Sequence, residues 1–557
     1  MKSKTSFFNV SLLRKDIVRF APAWALYAAF LILVFSGNVL HGEAAFVAES
    51  LGDSLQPFSL LNLAYGLLCA QMLFGDLHNS RMCNALHALP IRRESWFLTH
   101  TAAGLLFAIM PVALAGLIFL AVLGKFWVAA LLWMAALILQ YLFFFAVGAL
   151  SMILTGNRFA ALVVYTIINF IAGIVLWLFH ALYAPHLYGM AIDPEPWLVL
   201  CPVVEFAQQD WFSVISYHVS SNAHLKIWGG WGYLGICSGV AVVVLAGALL
   251  LYRKRPLEAA GDFLAFRPLQ PVFLVLYTFS AGAALHLFSQ LFIGESTELA
   301  FLLVGLTIGF ITGLMLLKRT LRVFRLRALA QFGIILAAFG LSLLLTILDP
   351  LGITRWTPDV EAVECVTLDR MYASNEMEYA ITDPELIRQI ISVHQHGIDN
   401  RDEGSNGKAD AQVTIRYTMK DGRRIAREYY IDTDTVAATT LRYVLSQPEN
   451  IFGKKYTTVD ALLQEVTGVT LFNNNGNEIT LTDPALIRAI VEAAYKDAEE
   501  GNLVQDYVLY RGHGTAWSLE IRGSRVDAGH YEYWETWYIH YTVASRNLFE
   551  ITKPLIP

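Results

Sequence analysis

The sequence predicts a polytopic α-helical membrane protein, of about nine transmembrane helices, with a C-terminal extracytoplasmic α+β domain built from two repeats. Three observations predict it. Nine apolar stretches fill the first 350 residues, each near the roughly 20 residues that a helix needs to cross a bilayer. Basic residues crowd every second connection between them. A polar tail, residues 349–557, carries a ten-residue motif twice. Composition agrees: 56% of the 557 residues are hydrophobic and 15% are charged, against about 25% charged in a soluble protein. The charge is also divided. Residues 1–348 hold 20 Lys/Arg and 14 Asp/Glu, whereas residues 349–557 hold 20 Lys/Arg and 32 Asp/Glu. The net charge of −6 therefore hides a basic membrane part and an acidic tail.

Residues 1–19 lack the short apolar core and small-residue cleavage site of a signal peptide. Lys2, Lys4, Phe7, Phe8, Leu12, Leu13, Arg14, Lys15 and Ile17 instead predict an amphipathic helix on the membrane surface. The expected spans are 20–40, 57–75, 97–123, 127–154, 159–183, 231–252, 271–292, 297–317 and 329–348. Pro111 falls inside the third, which neighbouring helices make tolerable. One set of alternating loops holds 18 basic residues, among them Arg14, Arg19, Arg81, Arg92, Arg93, Arg158, Arg253, Arg255, Arg267 and Arg319. The other set holds Lys125 and Lys226. By the positive-inside rule the N-terminus is cytoplasmic and nine crossings put residues 349–557 outside. Within the long external loop 184–230, Trp197–Ala207 is short, contains Pro202 and Glu205, and is expected to be a re-entrant or surface helix.

The spans hold few polar groups. Asp76 and Glu94 sit at ends; Asn62, Gln71, Gln140, Asn169 and Gln290 are expected to hydrogen-bond between helices. His286 is the titratable residue at mid-span, with His180 near the outer end, and both are expected to pack. The lack of intramembrane carboxylates argues against a proton- or sodium-driven transporter. Five cysteines occur (Cys69, Cys83, Cys201, Cys237, Cys365) with no CxxC spacing, so no zinc or redox motif is present. Cys201 and Cys365 both face outside in this topology; a disulfide between them and two free thiols both remain open.

The connection Phe74–Glu94 is polar at its start, and Leu77, Arg81, Asn84 and His87 recur at helical spacing before Pro90. Such a helix across the membrane base suits docking of a cytosolic partner; an ordinary basic loop anchored on anionic headgroups is the alternative. This loop, ending Leu89-Pro90-Ile91-Arg92-Arg93-Glu94, resembles that of the membrane subunits of ABC-2 type ABC transporters, particularly permeases of Gram-positive anaerobes. The stretch Tyr252-Arg253-Lys254-Arg255-Pro256-Leu257-Glu258-Ala259-Ala260-Gly261-Asp262 is similar to the one after the sixth span of those permeases. The layout of a surface helix, six spans and a long loop between the fifth and sixth matches over roughly residues 7–270. The resemblance implies an interfacial helix at 1–19, a permease core at 20–252, and three additional helices at 253–348. It implies a coupling helix for a separate ATP-binding subunit at about Asp76–Pro90, with Asp76, Leu77, His78, Arg81, Asn84, His87, Pro90, Arg92 and Arg93 as the docking residues. It also implies a second permease copy or paralogue, a lipid bilayer of the bacterial plasma membrane, and ATP and Mg bound by the partner. No P-loop exists here, because Gly124-Lys125, Gly407-Lys408 and Gly453-Lys454 are followed by Phe126, Ala409 and Lys455. The chain is therefore expected to bind no cofactor, metal or nucleic acid, and to be no enzyme itself.

In the tail, Thr382-Asp383-Pro384-Glu385-Leu386-Ile387-Arg388 recurs as Thr482-Asp483-Pro484-Ala485-Leu486-Ile487-Arg488, and Cys365–Leu368 matches Gly468–Leu471. Thr or Asp caps a helix and Pro fits its first turn. Strands are expected at Gln412–Met419 and Arg424–Ile431, joined by a Lys420-Asp421-Gly422 turn, and at Trp517–Arg522 and Glu535–Val543. Two tandem units, about 361–450 and 465–557, follow. Their chemistry is thin. Asp399–Gly404 with Asp410 fails the EF-hand pattern because Arg401 takes a ligand position. His394, His396 and His513 imply no third ligand. Tyr531, Tyr533, Trp534, Trp537, Tyr538 and Tyr541 fit a strand core or, if exposed, a peptide or glycan surface.

Function then falls between the permease subunit of an ATP-driven transporter, expected to work as an exporter, and a membrane-anchored sensor or immunity protein whose outer domain binds an extracellular ligand. An acidic outer domain could attract a cationic peptide or antibiotic. A membrane enzyme lacks any nucleophile–base pair or metal cluster in the sequence.

Overall fold

The computed structural model describes residues 8–88, 91–191, 199–215, 224–293, 298–369, 380–400, 411–432, 434–453, 455–456, 458–472, 478–503, 517–527, 532–541 and 545–555. The chain divides into two compact units. The first comprises residues 1–179 and 194–340; the second comprises residues 180–193 and 341–557.

The first unit is helical. α1 (Val10–Arg19) starts where the Asn9 side chain accepts from Leu12 N, and it bends by 59° into α2 (Ala21–His41). α3 (Ala44–Phe74), α4 (Ser80–Ala88), α5 (Arg93–Val122), α6 (Trp127–Leu154) and α7 (Arg158–Leu182) follow. A short α8 (Pro202–Gln208) and a hairpin of β1 (Phe212–Ile215) and β2 (His224–Ile227) precede α9 (Trp231–Lys254), α10 (Gln270–Phe292), α11 (Glu298–Lys318) and α12 (Leu326–Leu348). Eight of these helices are long and apolar enough to cross a membrane, and α1 with α2 makes a ninth if the bent pair counts as one. Helix ends fall within a few residues of the expected spans, with one exception. α3 begins at Ala44 rather than 57 and its 31 residues run about 46 Å at 1.5 Å each. The extension is real packing: Val47, Ala48, Leu51 and Leu55 are buried, and a Cβ on Gly52 would lie 2.3 Å from Phe212 O. Pro57 sits within the helix. The expected re-entrant segment 197–207 becomes α8; residues 192–198 lie outside the described residues.

One apolar core joins α1 to α6 with α9 and the start of α7. Residues 253–340 pack around separate clusters, one at Phe263, Leu264 and Phe273 and another at Leu274, Phe310 and Leu314. Inside the first core, the expected polar contacts form a chain. Tyr27 Oη donates to Asn62 Oδ1 at 3.1 Å, Asn62 Nδ2 donates to Gln140 Oε1 at 3.1 Å, and Gln140 Nε2 reaches Leu55 O at 3.4 Å. α2, α3 and α6 are thereby tied at mid-height inside the apolar core, where an unpaired amide would cost about 1–3 kcal/mol. Gln71 donates to Arg158 O. Asn169 departs from expectation: it donates within its own helix, to Tyr165 O. Gln290 is exposed, and His286 is buried 5.0 Å from the Trp177 ring.

The second unit holds two antiparallel sheets. β3 (Val363–Asp369), β4 (Ala411–Met419) and β5 (Arg424–Ile431) form the first in that order, and Val366 pairs on its other side with Ile381. β6 (Gly468–Phe472), β7 (Glu478–Leu481), β8 (Trp517–Asp527) and β9 (Glu532–Tyr541) form the second, in the order β7-β6-β8-β9. A helix of 16 residues packs on each: α13 (Pro384–Asp399) and α17 (Pro484–Glu499). Their caps are those the motif demands. Asp383 accepts from Glu385 N at 2.9 Å and Asp483 from Ala485 N at 3.0 Å, with Pro at the first helical position. Each sheet has its own apolar core. Short helices α14 (Val436–Ser446), α15 (Pro448–Phe452) and α16 (Val459–Leu463) lie between them, and α18 (Arg546–Thr552) ends the chain.

The long loop after α7 joins this second unit, which the sequence reading did not foresee. Met190 pairs with Arg427 on the edge of β5, and Glu428 N donates to Gly189 O at 3.1 Å. Gly189 has φ +77°, and a Cβ there would lie 2.5 Å from the Tyr429 ring. Only glycine meets both demands.

Two consequences are measurable. Asp497 is fully buried and accepts from Leu548 N at 2.8 Å and Asn547 Nδ2 at 2.7 Å, holding the free N–H groups of α18. Asp497→Ala should cost about 2–3 kcal/mol and raise hydrogen exchange in 545–555 before other segments. His394 is buried beneath the first sheet, and burial, with Arg427 nearby, pulls its pKa down to about 3. Its unfolded value is about 6.5, so the unfolded chain binds the extra proton between these limits. Stability from this group is full above pH 6.5 and is lost as pH falls towards 3. Exchange of α13, corrected for intrinsic rates, should rise over that window and be flatter in His394→Leu.

Candidate functional site

The richest polar arrangement of the first unit lies where α3, α6 and α9 end and α5 begins. A helix leaves its last four carbonyls without intrahelical partners, and these carry partial negative charge. Two arginines meet them. Arg255, 5% exposed, donates to Met152 O at 3.0 Å, Thr155 O at 2.8 Å and Leu77 O at 3.2 Å. Burial pulls its pKa down to about 10, which leaves it charged at neutral pH. Arg93, at the start of α5, donates to the carbonyls of Tyr252, Arg253 and Arg255 at 3.1–3.4 Å and so caps α9. Arg253 pairs with Glu94 at 3.0 Å. His78 Nε2 donates to Met152 O at 2.9 Å. The loop after α9 closes on the one after α6, with Gly156 N donating to Asp262 O at 2.9 Å and Ala265 N to Leu154 O at 2.8 Å. A Cβ on Gly156 would stand 2.0 Å from Ala259 O, so no larger residue fits.

The connection after α3 is built on this base. Residues Gly75–His78 make a single tight turn. Asn79 then accepts from Arg81 N and Met82 N at 3.0 and 3.3 Å and starts α4. The expected docking residues separate into two groups. Leu77 is buried in the turn, not on α4, and Cys83 is buried on α4 itself. Asp76 is half-buried, 3.9 Å from Arg19. Leu77, His78 and Arg93 thus face the helices and anchor the connection. Arg81, Met82, Asn84 and Ala85 face outward, as does Arg92. The helical-spacing argument placed Leu77 and Arg81 on one face; the turn before Asn79 breaks that phase. The side chain of His87, and Pro90, lie outside the described residues.

Sequence reasoning missed one buried pair. Asp16 Oδ2 of α1 lies 2.7 Å from His100 Nδ1 of α5, and each side chain is 4% exposed. Trp96 and Phe74 rings stand 4.2 and 5.9 Å from the imidazole. Asn9 N also donates to Thr99 Oγ1 at 3.1 Å. α1 is therefore locked to α5 by its one acid. The available signal is that acid, interrupting an otherwise basic polar face; His100, in the second turn of α5, lies in no motif. The side chain of His180 lies outside the described residues.

Elsewhere the candidates resolve simply. All five cysteines are free thiols; Cys201 is buried, with Sγ 3.4 Å from Asn169 O. No three His, Cys, Asp or Glu among the described residues could hold a metal. His394 contacts Tyr417 and His396 contacts Asn400. Tyr541 is buried and donates to Thr552 Oγ1 at 2.8 Å. Residues 401–410, His513 and Tyr531, and the side chains of Tyr533, Trp534, Trp537 and Tyr538, lie outside the described residues.

No protein-family model, curated protein or solved structure matches the chain.

Arg255→Leu should take the guanidinium from the carbonyls of Thr155 and Leu77, while His78 still donates to Met152 O, and lower stability in detergent by about 2–3 kcal/mol or more. Arg253→Ala, which breaks an exposed ion pair, should change it by less than about 1 kcal/mol. Asp16→Ala should cost about 1–3 kcal/mol by taking the close polar neighbour from a buried imidazole, and thermal melting checks all three.

Proposed function

We propose that this chain is the membrane subunit of an ATP-driven ABC-2-type transporter, with residues 75–88 docking a separate ATP-binding subunit on the cytoplasmic side. One observation carries the reading. The outward residues of α4 stand on a turn whose other side is hydrogen-bonded, through Arg255 and His78, to the ends of neighbouring helices. A force applied at Arg81 or Asn84 has a short, stiff route to α3, α6 and α9. Flexible loops would absorb it. Two such chains, or this chain and a paralogue, would enclose the pathway, with ATP and Mg on the partner.

The long apolar helices support membrane insertion, and the distribution of basic residues supports a cytoplasmic N-terminus. Connectivity supports the outer placement of the second unit. It includes the residues that follow α7 and those that follow α12, the fifth and ninth crossings, which end on the same side. The matching motif, caps and strand order of its halves support two copies of one α+β unit. The alternative, a membrane-anchored sensor, draws on the bridge that the loop after α7 makes to the edge of β5 at Met190, a contact able to carry a ligand signal along that loop.

Co-purification from native membranes separates them: an ATPase subunit favours the transporter, a kinase or no partner the sensor. Arg81→Glu with Asn84→Trp should reduce recovery of the ATPase subunit at least about tenfold, the loss of about 1.4 kcal/mol of docking energy, while insertion and melting stay unchanged. Undiminished recovery would remove the docking assignment.

A further inference from the structure

The second unit buries an arginine that its own fold does not satisfy. Arg427 lies in β5 opposite Ile415 and is 3% exposed. Its Nη2 donates to Ile353 O at 2.8 Å, while Nε and Nη1 are buried without a hydrogen-bond partner. Two residues along the same strand face, the buried Tyr429 hydroxyl also has none. The His394 ring stands 5.3 Å from that of Tyr429 and 5.6 Å from that of Tyr417. His394 Nδ1 is 3.1 Å from Tyr417 Oη, and Nε2 is buried without a partner. Trp356 covers the guanidinium at 5.6 Å. No carboxylate pairs with Arg427 among the described residues. The acid whose charge reaches it, Asp349, already accepts from Ile353 N, Thr354 N and Thr354 Oγ1 at 2.7–2.9 Å.

Arg255 gives the contrast within one chain. It is buried to the same degree, yet three carbonyls receive its protons. A buried guanidinium with one acceptor is costly unless something of opposite charge accompanies it. The groups left over at Arg427 are donors: Nε–H, Nη1–H, the Tyr429 hydroxyl, and His394 Nε2–H in the tautomer whose Nδ1 accepts from Tyr417. Each of these groups can donate a proton, and beside a positive charge they complement an anion rather than a metal cation. Near-complete burial restricts the anion to a small one.

We propose that the second unit binds a small monovalent inorganic anion, of the chloride type, at Arg427, Tyr429 and His394. The anion completes the hydrogen bonding of β5 where the segment Tyr188–Met190 joins its edge, and so firms the attachment of the loop after α7.

The test uses full-length protein in detergent, melted in sodium chloride and in sodium gluconate at equal ionic strength and pH. The melting temperature should rise by several degrees with chloride, saturably, and bromide should act alike. In Arg427→Met, which keeps the length of the stem, the chloride effect should vanish; in Tyr429→Phe half-saturation should need several-fold more chloride. Equal melting of the wild type in both salts would overturn the proposal and leave enclosed water only. So would a chloride shift undiminished in Arg427→Met. Should that variant fail to fold, chloride NMR line broadening decides: broadening by the wild type that weakens in Tyr429→Phe supports the site, and broadening no greater than that of detergent alone refutes it.

Discussion

The constraint on which the first unit depends is the carbonyl end of a helix. α3, α6 and α9 all stop at one end of an apolar bundle, and each leaves backbone acceptors that water or a donor must meet. Arg255 and Arg93 meet them from inside, with one guanidinium spanning three carbonyls from two segments. A planar fork of five donors suits this task, and a lysine ammonium does not. Everything beneath depends on it: the tight turn at 75–78, the seat of the 256–265 loop on Gly156, and the outward presentation of α4.

This changes the meaning of the basic residues. The alternation of positive charge was legible in the sequence because orientation needs only a count. What those charges touch was not. Arg81 and Arg92 face outward, as a basic loop should, but Arg93 and Arg255 turn inward onto backbone. No one-dimensional pattern separates them, since carbonyl acceptors exist at every residue and leave no signature in side chains. The helices themselves were legible to within a few residues because length and hydropathy decide them. α3 escaped that logic at its start: Glu49, Asp53 and Gln56 lower the hydropathy of 44–56, yet the apolar residues between them still pack on the 212 hairpin.

The candidate docking segment shows the same division. That a short helix follows Phe74 was readable from spacing and from Pro90. That Leu77 precedes the helix, in a turn that resets its phase, was not, because Asn79 as a cap is visible only once the chain bends there. Asp16 and His100 are 84 positions apart, and neither lies in a motif. Their meeting at 2.7 Å is tertiary, and only the oddity of one acid on α1 hinted at it. In the second unit the repeated Asp-Pro helix starts were fully legible, because capping is local chemistry. The loop that completes the sheet edge at Gly189 comes from more than 230 residues upstream, beyond any local rule.

Two fully buried arginines thus illustrate how one residue type serves opposite ends. At the base of the bundle the surrounding backbone supplies every acceptor, so Arg255 needs nothing further and its role is to hold. Within the sheet of the second unit, β5 is paired along its length with β4 and bridged at Arg427 to Met190, and one carbonyl, that of Ile353, receives a proton of Arg427. Its charge must then be balanced from outside the fold's own hydrogen-bond inventory. Replacing a buried charge by an apolar side chain of similar volume is often neutral or stabilising. An arginine held there by one carbonyl and one ring fits a position whose remaining protons serve a bound anion.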